Sequence, residues 1–228
     1  MKYMWSKNRI AKYLLPIILK DRKPNQWYVE PFVWGANMID KVEGNRIGAD
    51  SNEYLIRALK FLRDDITVLP KSNKEYTEKM FNKAKESDLE NWLDCLAMFQ
   101  YSFWAIFKWS WSRNKKWTDY VKECVKNNLI QSKNLQWIKL INSSYQDLKI
   151  PKESIIYCDI PYRWTKKYKW VEEFDYEYFY NWCREKKKEW HTIFISEYNM
   201  PDDFKCVWQQ EIVNNLNNKN STEKLFTL

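Results

Sequence analysis

The residues best equipped for chemistry are six in a row, Tyr157-Cys158-Asp159-Ile160-Pro161-Tyr162. The apolar pair Ile155-Ile156 ahead of them reads as a buried strand. The segment therefore delivers a carboxylate, a proline-stiffened turn and an aromatic ring within four positions, 159 to 162. That set suits a planar base carrying an amino group. The base stacks on Tyr162 while its amine donates to Asp159 and to the carbonyl of Ile160. Pro161 fixes φ and removes a competing N–H, which keeps the acceptors aimed.

The elements that must position this tetrad are legible on either side. Tyr28-Val29-Glu30-Pro31-Phe32-Val33-Trp34-Gly35-Ala36-Asn37 reads as a short strand ending in an acid, then a turn, a glycine and the start of a helix. Doubly wound folds hold nucleotide-like ligands at such a turn. Arg46-Ile47-Gly48-Ala49-Asp50 reads as a second strand ending in a carboxylate, about twenty residues on, a spacing that suits ribose hydroxyls. Tyr3-Met4-Trp5-Ser6-Lys7 precedes an amphipathic segment from Asn8 to Leu19. Residues 1–65 thus predict helix, strand, turn and helix, strand, helix. The last helix carries Tyr54, Leu55, Ala58, Leu59 and Leu62, with Asp50 or Ser51 as its cap.

Residues 66 to about 136 break the alternation. A polar helical stretch runs from Lys71 to Glu90, an apolar one from Leu93 to Phe99, and an aromatic, basic loop from Tyr101 to Lys116. Interleaved rings and cations fit nucleic-acid contact. Equally, the aromatics could close a small core beneath the insertion. Alternation returns after 137, with strands at Ile138–Ile141 and Ser154–Asp159, a helix at Tyr176–Lys187 and a strand at Thr192–Ser196. Two more strands are expected near Cys206–Ile212 and Lys224–Leu228.

In this order the segments resemble the Dam-like DNA adenine-N6 methyltransferases, especially their phage-type branch. That family carries Gly-Ser-Lys or Gly-Gly-Lys where this chain has Trp5-Ser6-Lys7, and Glu-Pro-Phe-x-Gly-Gly where it has Glu30 to Gly35. Its Asn-Asp or Ala-Asp strand end corresponds to Ala49-Asp50, and its Asp-Pro-Pro-Tyr to Asp159-Ile160-Pro161-Tyr162. Further matches are Ile195-Ser196-Glu197-Tyr198 with Pro201 following, and the ending Thr222-Glu223-Lys224-Leu225-Phe226. The resemblance runs from residue 3 to residue 226. Ile160 departs from the usual first proline but keeps the backbone carbonyl.

The resemblance implies an α/β, Rossmann-like, S-adenosylmethionine-dependent methyltransferase fold. Residues 1–65 and 137–228 would form the catalytic domain, and 66–136 a mostly helical target-recognition insertion. It further implies methyl transfer from S-adenosyl-L-methionine to the N6 amine of adenine in double-stranded DNA, with the base extruded from the helix. Asp159, Ile160, Pro161 and Tyr162 would be catalytic. Tyr3, Lys7, Glu30, Pro31, Phe32, Gly35, Asp50 and Asp159 would bind the cofactor. Lys108, Arg113, Lys115 and Lys116 in the insertion, with Arg163 and Lys166 after the tetrad, would contact nucleic acid. Two rival readings stay open: a methyltransferase acting on RNA or on a protein glutamine amine, and a catalytically impaired DNA-binding relative whose pocket Trp5 and Trp34 fill.

Bulk properties narrow the classes. With 228 residues, a single α/β domain with an insertion can bury a substantial core. Thirty-eight basic against 30 acidic residues give a net charge of +8, which suits a polyanionic partner. The cysteines at 95, 124, 158, 183 and 206 form no Cys-x-x-Cys pair, so neither zinc nor a disulfide framework is expected. His191 is the sole histidine, which excludes paired-histidine metal sites and weakens any serine–histidine or cysteine–histidine scheme. It is expected at a strand edge. No signal peptide or membrane span is expected, and the chain reads as a cytoplasmic monomer.

Composition supplies one anomaly. Glycine at about 7% would give roughly 16 residues, yet there are 3 glycines beside 14 tryptophans. Trp5, Trp34, Trp104 and Trp164 stand where the resembling family carries glycine. Trp117, Trp137 and Trp190 lie in polar, turn-like surroundings that would suit glycine as well. Trp27, Trp182 and Trp208 sit in apolar strand or helix patterns and read as true tryptophans. Two readings stay open: UGA codons that the source organism or its phage decodes as glycine, and a genuinely tryptophan-rich protein.

Overall fold

A computed structural model describes residues 1–3, 6–113, 116, 118–163, 174–214 and 219–228. Six α-helices are present among these: α1 (Ala11–Ile18), α2 (Glu53–Asp64), α3 (Glu78–Lys85), α4 (Trp92–Gln100), α5 (Tyr120–Leu135) and α6 (Tyr176–Lys188). The strands are β1 (Tyr28–Glu30), β2 (Arg46–Asp50), β3 (Lys139–Asn142), β4 (Ile155–Asp159), β5 (Thr192–Ser196), β6 (Lys205–Asn214) and β7 (Lys219–Thr227). They form one sheet in the order β3-β2-β1-β4-β5-β7-β6.

The first five strands of that order pair in parallel, and β7 runs antiparallel to both β5 and β6. Parallel strands covered on both faces should be apolar throughout, and every residue of β1 and β2 is buried. The architecture is α/β and compatible with a Rossmann-like fold. The order in which strands are added to the sheet reverses between β1 and β4, and at such a switch point the carboxyl ends of the strands open a crevice.

Three expectations need correction. No α-helix follows β1; residues 34–45 make only a 3-10 turn at Ile39–Lys41, because Trp34 and Ala36 take positive φ and interrupt helical geometry. The cap of α2 is Asn52, whose side chain accepts from the N–H groups of Tyr54 and Leu55, and not Asp50 or Ser51. The helical stretch of Lys71 to Glu90 contracts to α3, since Thr77 caps it only at Met80. The sequence also leaves α5 unmarked. Its inward positions Val121, Cys124, Asn128, Gln131 and Leu135 keep helical spacing, but two are amides, which mask the apolar stripe. One amide is half satisfied inside the core: Gln100 donates to Asn128 Oδ1 at 2.9 Å, while Asn128 Nδ2 and Gln100 Oε1 are buried without a partner among the described residues.

The insertion shares the main core. Phe81, Leu96, Phe99, Tyr101 and Val121 cluster with Leu55, Leu59 and Leu62 of α2 and with Ile138 and Leu140 around β3. Within the aromatic loop, Tyr101 and Trp111 are buried and Phe107 packs on Phe99, while Phe103, Trp104 and Trp109 face solvent. Tyr101, Phe107 and Trp111 thus serve the core-closing reading of that loop. His191 is buried just before β5, where its Nδ1 accepts the Ser154 N–H at 3.0 Å.

Candidate functional site

Three carboxylates stand at the carboxyl ends of neighbouring strands: Asp50 on β2, Glu30 on β1 and Asp159 on β4. The parallel register carries them there, since each is the last residue of its strand. Glu30 is buried and accepts from Tyr28 Oη at 2.8 Å; burial raises its carboxyl well above the ordinary range. Asp50 accepts the N–H groups of Asn52 at 3.0 Å and Trp34 at 3.3 Å. Burial still pushes it up to about 6, because two backbone donors offset only part of the lost hydration.

Asp159 belongs to a four-residue cluster. The Lys7 ammonium lies 3.4 Å from Asp159 Oδ1 and 3.0 Å from Glu223 Oε2, and 4.4 Å above the centre of the Tyr162 ring. It also donates to Tyr162 Oη, which in turn donates to Glu223 at 2.7 Å. One cation thus faces two acids. Burial would lower the Lys7 ammonium, but Asp159 and Glu223 outweigh it and hold the pKa above the usual lysine range. Burial drives the Asp159 carboxyl up to about 6, with Lys7 opposing and Glu223 reinforcing.

This arrangement makes a stability prediction. Lys7→Met leaves the partly buried Asp159 and Glu223 without their cation, which should cost about 3 kcal/mol at pH 8. The loss should shrink at pH 5, where a protonated Asp159 needs no counter-charge. Denaturant titrations of both chains at the two pH values check this; an equal loss at both would remove Asp159 from the explanation.

Backbone contacts fix the tetrad's exit. Glu197, fully buried after β5, accepts the N–H of Arg163 at 3.0 Å and that of Tyr198 at 2.6 Å. Burial raises it to about 7 against those two donors. Tyr176 Oη donates to the carbonyl of Pro161 at 3.0 Å, and the Tyr198 ring meets the Tyr162 ring edge-on at 4.6 Å. Ile160 is buried beneath them.

Across the crevice lies Trp34. Its Nε1 donates to the backbone carbonyl of Asp159 at 2.6 Å, and its ring centre is 5.7 Å from that of Tyr3. The indole therefore bridges the ends of β1 and β4. Gly35 beside it has no room for a side chain: a Cβ there would sit 2.7 Å from Tyr3 Cβ and 2.6 Å from Asn37 Nδ2. The Gly35 carbonyl accepts from Gln131 at 2.9 Å, which ties α5 to this turn.

The remaining expected residues disperse. Pro31 is buried at the end of β1, and the Phe32 ring turns towards Tyr145, 5.3 Å away, and Phe179. Lys108 Nζ donates to the Ser87 carbonyl at 3.1 Å, and Arg113 pairs with Glu78. Lys116 is exposed, and the Arg163 guanidinium lies 5.5 Å above the Tyr176 ring. Lys115, Lys166, Trp5, Trp117 and Trp164 fall outside the described residues. Among the described residues no group of His, Cys, Asp and Glu could hold a metal ion, and no helix is long and apolar enough to cross a membrane.

No local pattern marks Tyr176 or Gln131 in the sequence, and Glu223 and Glu197 are marked only by the motif matches in which they lie. Compared with protein-family models and with curated proteins, the chain matches none.

Proposed function

We propose that this chain is built to transfer a methyl group from S-adenosyl-L-methionine to the N6 amine of adenine in DNA. One observation supports it above the others. An amine, that of Lys7, already lies between the Asp159 carboxylate and the face of the Tyr162 ring, at the end of the strand beside the switch point. A base amine over the same ring would meet the same acceptor.

The protein's own residues do the following under this reading. The Tyr162 ring stacks the extruded base, contributing on the order of 1–3 kcal/mol against an extrusion cost of a few. Asp159 and the Ile160 carbonyl accept the two amine hydrogens, which draws the nitrogen lone pair out of conjugation with the ring. Lys7 swings aside to admit the base. Pro161 and the Glu197 and Tyr176 contacts hold the direction of these acceptors. The cofactor supplies the electrophilic methyl group. Asp50 and Glu30 offer acceptors of the kind that ribose hydroxyls and an amine require, so the residues fit that cofactor once position 34 carries no side chain. Positioning two bound reactants supplies most of the acceleration. The net charge of +8 suits a DNA partner.

A second reading, a DNA-binding chain that transfers nothing, is favoured by the Trp34 indole across the crevice. Labelled S-adenosyl-L-methionine supplied with DNA, RNA or protein to the Trp34→Gly chain separates the cases. Label recovered as N6-methyladenine in DNA is expected. Label confined to RNA or protein overturns the choice of substrate. Retention of DNA without transfer or cofactor binding establishes the second reading.

A further inference from the structure

We infer that positions 34, 104, 137 and 190 are glycine positions of this fold, their codons being UGA read as glycine in the organism that carries the gene. The inference rests on backbone geometry and composition alone, and stands or falls apart from any methyltransferase reading. Trp34, Trp104, Trp137 and Trp190 have φ of 44°, 58°, 66° and 68°. L-residues with a Cβ avoid that region, and glycine does not. None of the other described tryptophans, Trp27, Trp92, Trp109, Trp111, Trp182 and Trp208, has a positive φ. The split follows the separation that local sequence context makes between turn-like and apolar settings.

Each site is a turn that calls for glycine by its hydrogen bonds. Trp190 follows Glu189, the C-cap of α6; its N–H reaches the Lys187 carbonyl at 3.1 Å and the His191 N–H reaches Lys186 at 3.1 Å. That pair of bonds defines a Schellman motif, whose left-handed residue is usually glycine. After α5, Gln136 takes φ −55° and ψ 140°, Trp137 takes positive φ, and the Ile138 N–H closes on Leu135 at 3.1 Å. This is a type II turn with tryptophan where glycine belongs. Trp104, at φ 58° and ψ 17°, is the third residue of a turn closed by Ala105 N–H on the Ser102 carbonyl at 3.0 Å. Trp34 is the second residue of a turn closed by Ala36 N–H on Val33 at 2.7 Å.

Packing does not account for three of the four indoles; only that of Trp34 has partners, the Asp159 carbonyl and the Tyr3 ring. Trp137 is 91% exposed, Trp190 83% and Trp104 58%, whereas Trp182 is 8% exposed within the core beneath α6. A large apolar ring left in water on a strained backbone has no structural return. The other six non-glycine residues with positive φ are spread over five residue types, so the excess is specific to tryptophan. A chain with 3 glycines and 14 tryptophans has too few of one and too many of the other in the same places.

The codons and the stability of two surface turns test the inference. UGA at 34, 104, 137 and 190 with UGG at 27, 182 and 208 is expected. UGG at the first four overturns the decoding, and so does UGA at all seven. Mass spectrometry of peptides spanning 137 and 190 from the organism itself should read glycine; tryptophan overturns it. Trp137→Gly and Trp190→Gly should each raise the folding equilibrium constant about fivefold over the matching alanine variants, which remove the indole but keep the Cβ. Equal stability of the glycine and alanine chains would show that φ is not strained there and overturn the geometric half.

Discussion

Trp34→Gly is expected to give a chain that binds S-adenosyl-L-methionine in the micromolar range, where the Trp34 chain gives no calorimetric signal. Micromolar binding corresponds to about −8 kcal/mol, so the gain is at least about 100-fold. The reason is spatial. The indole spans the gap between the turn after β1 and the carbonyl of Asp159, bonded there at 2.6 Å, with Tyr3 against its ring at 5.7 Å. Asp50 spends one carboxylate oxygen on the Trp34 N–H at 3.3 Å. Removing the side chain opens the crevice without disturbing the backbone donor. Trp34→Ala provides the comparison: it clears the ring but keeps a residue at φ 44° that resists that conformation. It should bind more weakly than the glycine chain and more tightly than the parent. No binding by either variant would remove the cofactor from this crevice.

How much of this was readable beforehand depended on how local the determinants were. Strand β5 was placed from Thr192 to Ser196 without error because an apolar run bounded by polar residues needs no partner to identify it. The tetrad at the end of β4 was legible for the same reason, as were Glu30 and Asp50, each closing a short apolar strand. The helix expected after β1 fails because Trp34 and Ala36 take positive φ, a conformation that neither residue type signals in the sequence. Helix α5 was missed because Asn128 and Gln131 face inward, where one meets Gln100 and the other the Gly35 carbonyl. Those partners lie 28 and 96 residues away in the chain. Glu223 shows the limit most plainly: no spacing rule brings it to Lys7 across 216 residues, and only the antiparallel return of β7 does so.

Asp159→Ala in the Trp34→Gly chain is expected to lower methyl transfer by about 10²–10³-fold, the usual cost of deleting one buried polar group aimed at the reacting centre. Asp159→Asn should fall less, because its carbonyl oxygen still accepts one amine hydrogen while its own NH₂ opposes the other. Acidity gives an independent readout. With its carboxyl pushed up to about 6, Asp159 should lose function as pH falls through that value, since the protonated acid donates where the chemistry needs an acceptor. Stability moves the opposite way. A folded-state pKa raised above the ordinary 3.8 makes this group's contribution fullest below 3.8 and lost as pH rises through about 6. A falling activity limb near pH 6 with no accompanying loss of folded protein therefore assigns the limb to a carboxylate of the site rather than to unfolding, and Asp159 and Asp50 both stand at about 6. The limb should disappear in the residual activity of Asp159→Asn, whose amide does not titrate. If that variant keeps the same acid limb, the titrating group lies elsewhere; Asp50, at about 6, is the nearest alternative, and the grip on the amine would have to be reassigned.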